Sequence, residues 1–248
     1  MPEIFLSVVI PAYNEAERIG MTLGKIWNYL ASKHFLAEVV VVDDGSTDNT
    51  PALLRAATAR WPAMRTLTNR PNRGKGFSVR RGALEARGAF VLFTDADLSA
   101  PIEEADKLMA ALESAPADAA VGSRALDRSL IGVRQPWRRE YAGRFFNLLV
   151  RLFTGLEIHD TQCGLKLLRR DSTRRALEAL QVTGFGFDPE LLFLIERGGG
   201  RVVEVPVRWN DNPATKVRFL RDSTRMFFDL IALRFRAWAG KYEPNDER

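Results

Sequence analysis

The stretch FVLFTDADLS, residues 90–99, is an apolar run that stops on Asp95, Ala96 and Asp97. It reads as a buried strand with two carboxylates at its end, an arrangement that solvation does not call for. In extended chain, residues two apart project to the same side, so Asp95 and Asp97 can approach one hard cation together. Mg²⁺ is held by one or two carboxylates plus substrate phosphates, which suits this spacing. The plainer reading, that Asp97 only opens a turn before Pro101, leaves the paired acids unexplained.

Outward from this strand the first half alternates between short β-branched runs and longer stretches of helical period. Strands are expected at 5–10, 38–42, 64–68, 89–94 and 117–122. Helix starts are marked by Thr50 followed by Pro51, and by Pro101 followed by Glu103 and Glu104. This rhythm predicts an α/β fold with a Rossmann-like, mostly parallel central sheet flanked by helices, its ligands bound beyond the carboxyl ends of the strands. After residue 123 the rhythm changes. Basic amphipathic helices are expected at 139–154 and 217–239, with strands at 164–168 and 201–209 and a helix at 189–196. With no internal repeat or low-complexity linker, 248 residues read as a single domain.

Composition narrows the class. Hydrophobic residues make up 46% and charged residues 27%, which excludes a disordered or collagen-like chain. Arg144, Arg151, Asp229 and Arg234 interrupt the most apolar stretches, so no membrane span is expected. The start MPEIFLSVVIPAYNE lacks the features of a signal peptide, and Cys163 is the single cysteine, so a reducing, cytoplasmic setting is expected. Charge is uneven: residues 1–123 carry net −2, whereas 124–151 and 215–241 each carry net +5. Two basic segments on a slightly acidic body point to contact with something anionic.

Two further motifs carry chemistry. VVVVDDGSTDNT, residues 39–50, ends a second strand on Asp43 and Asp44, where a carboxylate can accept hydrogen bonds from a ribose or a base. NRPNRGKGFSVRRGALEARG, residues 69–88, sets Gly74, Lys75 and Gly76 at a helix start, which suits a phosphate, although Lys75 could equally be a solvated surface charge. The turn after the first strand reads PAYNEAERIG and has no dinucleotide-binding glycine fingerprint. No P-loop follows any strand.

In order and spacing, PAYNE (11–15), VVDDGSTDNT (41–50), NRGKG (72–76) and TDADLS (94–99) resemble the nucleotide-sugar-binding half of an inverting family 2 glycosyltransferase of GT-A fold. VGSR (121–124), DTQCGLKLL (160–168), GFGFDPELL (184–192) and VPVRWNDNPATKV (205–217) resemble the polyprenyl-phosphate glycosyltransferases, in particular the dolichyl-phosphate β-glucosyltransferase branch. The resemblance implies a nucleotide-sugar half at 1–123, an acceptor half at 124–216 and a C-terminal amphipathic helix and tail at 217–248. It implies that Pro11, Ala12, Tyr13, Glu15 and Asp43 surround the nucleoside, that Gly74, Lys75 and Ala96 meet the diphosphate, and that Asp95 and Asp97 bind Mg²⁺ or Mn²⁺. It further implies that Ser123, Arg124, Arg138 and Arg139 lie near the donor or acceptor phosphate, Gln162 and Asp188 near the sugar or acceptor, and Lys216 over the phosphates. Asp188 before Pro189 also reads as a helix N-cap. Cys163 and Trp209 read as packing residues.

The implied reaction is metal-dependent, inverting transfer of a hexose, glucose from UDP-glucose, to a polyprenyl or dolichyl phosphate at the cytoplasmic face of a membrane. Mannose from GDP-mannose and a soluble acceptor are the alternatives. Related integral members continue into transmembrane helices and this chain does not, so membrane contact is expected to be peripheral or supplied by a membrane-spanning partner. REYAGRFFNLLVRLF (139–153) and RFLRDSTRMFFDLIALRFRAWAG (218–240) interleave Arg with Phe, Leu and Trp as interfacial helices do, or else are core-facing helices with a solvated face. Nucleic acid is not expected as a partner, because a carboxylate-lined site repels a phosphate backbone.

Overall fold

A computed structural model describes residues 3–212 and 219–242, with no side-chain description at 219–221. The elements, in chain order, are β1 (Leu6–Ala12), α1 (Ile19–Ala31), β2 (Ala37–Asp43), α2 (Thr50–Arg60), β3 (Met64–Thr68), α3 (Lys75–Glu85), β4 (Phe90–Thr94), α4 (Ala105–Ser114) and β5 (Ala119–Ser123). The second half adds β6 (Ile131–Val133), α5 (Trp137–Thr154), β7 (Leu165–Arg169), α6 (Arg170–Ala179), α7 (Phe187–Arg197), β8 (Val202–Pro206), β9 (Trp209–Asn210) and α8 (Phe219–Trp238).

Seven strands form the central sheet in the order β3-β2-β1-β4-β7-β5-β8. The pairs among β3, β2, β1 and β4 are parallel, as is β5 with β8, whereas β7 runs antiparallel to both β4 and β5. The carboxyl ends of the parallel strands therefore share one edge with the amino end of β7. Thr94 pairs with Leu165, which brings Gly164 beside Asp95. Period-two alternation splits the sheet residues between two cores. Val8, Ile10, Val41 and Leu92 pack with α1, α2 and α4 on one face. Val9, Val40, Val91 and Phe93 pack on the other with α3, α6 and α7, joined by Val150 of α5 and Leu230 and Leu233 of α8.

The mostly parallel α/β architecture is as expected, with differences in the second half. The expected strand at 201–209 is two: it leaves the large sheet after Pro206, and Trp209–Asn210 pairs instead with β6, which the sequence reading did not include. Glu104 causes the break, since its buried carboxylate accepts from both the backbone and the side chain of Arg208. Helix α6 was also not foreseen; three Arg among its ten residues leave only Thr173, Ala176 and Leu177 as its buried face. Both basic helices form, α5 starting at Trp137 after Pro136 rather than at 139. Residues 217 and 218, where the last helix was expected to begin, lie outside the described residues.

Candidate active site

The loop after β4 makes a tight turn in which Leu98 N–H donates to Asp95 O (3.1 Å), with Leu98 in left-handed conformation (φ 48°). Ser99 N–H donates to Asp97 Oδ1 (3.0 Å), and Thr22 Oγ1 on α1 donates to Ala96 O (2.6 Å). This fixes both carboxylates from the backbone side. Burial, and then the neighbouring Asp95 charge, push the Asp97 carboxyl above the usual aspartate range against opposition from Ser99 and Arg18. Arg18 pairs with Glu15, and burial works against a guanidinium that the Glu15, Asp97 and Asp95 charges favour.

Two loops brace this one. After β1, Asn14 Oδ1 accepts from Thr47 N–H (2.8 Å) and Glu15 N–H donates to Thr50 Oγ1 (2.7 Å), tying PAYNE to the turn after β2. The glycine loop is held by Asp44, which accepts from Arg73 N–H (2.9 Å), Gly74 N–H (2.8 Å) and Asn69 Nδ2 (2.7 Å). Gly74 has φ 97°, and a Cβ there would meet Thr183 O at 2.4 Å, so glycine is required. The loop delivers Lys75, whose Nζ lies 2.6 Å from Asp95 Oδ1. Burial works against the Lys75 ammonium, but the Asp95 and Asp188 charges outweigh it and hold its pKa above the ordinary lysine value.

Beneath Lys75 lies a buried ion pair. Lys166 of β7 is wholly buried and donates to Asp188 Oδ1 (2.6 Å) and to Cys163 O (2.7 Å). Gly164 completes the wall, since a Cβ on it would meet Asp95 Oδ2 at 2.2 Å. Arg124, just past β5, grips Asp160 in a bidentate pair (2.7 and 2.8 Å) and lies 5.2 Å from the Trp209 ring centroid. Burial raises the Cys163 thiol to about 11, so it is an inert packing group at neutral pH.

A cavity of about 1150 Å³ gathers these residues. Of the residues singled out in the sequence, Pro11, Ala12, Tyr13, Glu15, Gly74, Lys75, Asp95, Ala96, Asp97, Arg124, Arg139, Gln162 and Asp188 line it. Three lie off it. Asp43 is turned into its own loop, where Oδ1 accepts from Ser46 N–H (3.0 Å), and its neighbour Asp44 lines the cavity. Ser123 is fully buried, its Oγ accepting from Ala125 and Leu126 N–H. Arg138 lies against its neighbour Trp137 on the exposed side of α5. Asp188 is no N-cap: Gly186 holds that position and Asp188 sits inside the first turn of α7, turned to Lys166. Lys216 lies outside the described residues. The sequence reading named Asp44 beside Asp43 but assigned the nucleoside to Asp43, and it missed Arg18, Asp160, Gly164 and Lys166. The acid next to Asp43 and the DTQCGLK run were visible, but chain order does not show which acid faces inward or that Lys166 is buried.

The cavity lining has seven carboxylates against four cations, so an anionic diphosphate needs added positive charge to enter. Asp95 Oδ1 is buried against the Lys75 ammonium without an aligned hydrogen bond, and burial together with the Asp95 charge raises the Asp97 carboxyl. No cluster of three or more His, Cys, Asp or Glu that could cage an ion occurs among the described residues. The site thus fits a divalent cation held by Asp95 and Asp97 and completed by phosphate oxygens.

A mostly parallel sheet with an acidic pair after its fourth strand and a glycine loop facing it is the arrangement the resemblance to a glycosyltransferase implies. The family model "Glycosyl transferase family 2" matches residues 7–177. The dolichyl-phosphate β-glucosyltransferase of Saccharomyces cerevisiae is 35% identical over 98% of this chain and 78% of its own length, and that of Drosophila melanogaster 36% over 97% and 78%. The chain belongs to family 2, and within it to the dolichyl-phosphate β-glucosyltransferase family. In fold it matches glucosyl-3-phosphoglycerate synthase of Mycobacterium tuberculosis, solved with Mn²⁺, UDP-glucose and phosphoglyceric acid and with Mg²⁺ and UDP. TM-scores are 0.67 and 0.68 at 21% and 20% identity, covering 94% of this chain and 80% of that one.

Proposed function

We propose that this chain transfers glucose from UDP-glucose, with inversion, to the phosphate of dolichyl phosphate or another polyprenyl phosphate, bound peripherally at the cytoplasmic face of a membrane. One observation carries this reading: a single cavity joins the acidic pair and glycine loop to Arg124, Arg139 and Gln162, and is lined on its far side by residues of α5 and α8. The kinship with dolichyl-phosphate β-glucosyltransferases and the Mn²⁺- and UDP-glucose-bound fold relative support it.

The nucleoside would lie along Pro11, Ala12, Tyr13 and Glu15, with the diphosphate over Gly74, Lys75 and Ala96. Mg²⁺ or Mn²⁺ on Asp95 and Asp97 would neutralise the leaving diphosphate. An acceptor phosphate oxygen attacks the anomeric carbon as the bond from that carbon to the diphosphate oxygen breaks, and the electron pair leaves with UDP. A phosphate monoester has its second pKa near about 6 and is already ionised at neutral pH, so no strong base is needed. Lys75 is placed to pass from Asp95 to the phosphates, while Asp188 and Lys166 hold the floor. Arg124, kept rigid by Asp160, and Arg139 face the incoming phosphate.

The outer face of α5 supports membrane contact. Trp137, Tyr141, Phe145, Leu148 and Leu152 form one exposed stripe at helical spacing, with Arg138, Arg144 and Arg151 beside it. Phe228, Phe235 and Trp238 are exposed on α8, which packs on α5. No helix among the described residues is long and apolar enough to cross a membrane. The test is incubation with dolichyl phosphate in detergent, Mn²⁺, and labelled UDP-glucose or GDP-mannose in parallel. Organic-phase label from UDP-glucose alone is expected. Label from GDP-mannose alone moves the donor, and label from neither removes the acceptor assignment.

A further inference from the structure

A second cavity, about 500 Å³, lies against the opposite side of α5, with the β6 segment on its rim. Arg124, Gln135, Gly143, Gln162 and Trp209 line both cavities, so the two lie back to back and share a wall built around Arg124. Their charges are opposite. The donor cavity has an excess of three carboxylates, whereas the second is lined by five arginines against Glu140 and Asp160. Asp160 is engaged by Arg124, and the one carboxylate of Glu140 is shared by Arg128 and Arg144. Arg134 and Arg151, both exposed, bring further positive charge with no partner carboxylate in the lining. Leu148, on the exposed apolar stripe of α5, is also part of this wall.

A concave site with forked donors, net positive charge and no acid excess takes a phosphate directly, without a metal. An apolar helix face at its edge suits an anion carried on a hydrocarbon chain. We propose that this cavity is a second phosphate site, distinct from the reacting position, that captures the phosphate monoester of a lipid through Arg134, Arg151, Arg144 and Arg128 and passes it to Arg124. The proposal rests on the acceptor assignment above and adds the route by which that acceptor arrives. The opposite signs of the two cavities keep the ligands apart: the acceptor phosphate is repelled from the acid-rich cavity until donor and cation have neutralised it.

The test measures calorimetric binding of farnesyl phosphate below its micelle concentration, of inorganic phosphate, and of UDP with Mn²⁺, to wild type and to Arg134→Ala/Arg151→Ala. Both positions are exposed, so folding is expected to be unaffected, with a thermal melt as control. Farnesyl phosphate affinity should fall about tenfold to a hundredfold and inorganic phosphate should compete for the same site, while UDP affinity stays within about twofold. Sedimentation with phosphatidylcholine vesicles, with and without phosphatidylglycerol, separates the sources. Loss of phosphatidylglycerol binding alone, with farnesyl phosphate unaffected, would overturn the acceptor route in favour of a bilayer-headgroup contact. Unchanged farnesyl phosphate affinity overturns the proposal even if wild type makes glucolipid. Lost affinity in the variant when wild type makes none leaves this site standing and removes the transferase reading instead.

Discussion

Gly164→Ala probes the acidic pair without touching an acid. The added Cβ would sit 2.2 Å from Asp95 Oδ2 and 2.7 Å from its Cγ, whereas real Cβ contacts do not fall below 3.0 Å. The carboxylate must therefore retreat by at least about 0.8 Å; a misplacement of about 1 Å at a reacting centre costs on the order of 10²-fold in rate. Gly164 is not in left-handed backbone, so alanine adds no strain of its own. Asp95 retains 31% side-chain exposure, so it can swing outward, and the stability cost should be at or below the low end of overpacking, about 1 kcal/mol. Expected are a kcat reduced about a hundredfold, weakened Mn²⁺-dependent UDP binding by calorimetry, and an almost unchanged melting temperature. Turnover within a few-fold of wild type, with Mn²⁺ still bound, would refute the reasoning.

Three further outcomes follow from the same geometry. Asp97→Asn should abolish transfer yet raise the metal-free melting temperature at neutral pH. A carboxyl held above its unfolded pKa of 3.8 costs stability as pH rises through the folded value, and the amide removes that cost; a lowered melting temperature at pH 7 contradicts this. Lys166→Met strands the buried Asp188 charge and should cost roughly 3–5 kcal/mol in urea unfolding, partly recovered by adding Asp188→Asn; a loss below about 1 kcal/mol would remove the ion pair from the account. Tyr141→Glu with Leu152→Glu, both exposed on α5, should abolish sedimentation with anionic vesicles while leaving UDP binding and the melt unchanged. Persistent sedimentation would move membrane contact elsewhere.

The first half of the fold was legible because β1, β2 and β4 are buried on both faces and the motifs end on chemistry: FVLFTDADLS and VVVVDDGS each state where a strand stops and what waits there. Met64–Thr68 is the strand expected, residue for residue. The second half was less legible because long-range bonds set its boundaries. Glu104 splits the expected 201–209 strand from a position about a hundred residues away, which no local pattern records. Arg-rich α6 keeps a helical period, but its buried face is only Thr173, Ala176 and Leu177, too short an apolar run to stand out among three arginines. In the site, sequence pointed to the acids and glycines but not to their facing. Asp43 and Asp44 are neighbours of one type, yet the register of β2 turns one into its own loop and the other onto the glycine loop. Lys166 looks like a surface lysine in DTQCGLKLL, and only the antiparallel insertion of β7 between β4 and β5 shows it to be buried.

The central claim is that a lipid phosphate oxygen displaces UDP from the anomeric carbon of glucose. Its most direct test is proton and phosphorus NMR of the organic-phase product made by the purified protein from UDP-α-glucose, Mn²⁺ and dolichyl phosphate. The account predicts one β-linked glucosyl phosphodiester and stoichiometric UDP. An α-linked product, or free glucose released to water with no phosphodiester formed, would contradict it.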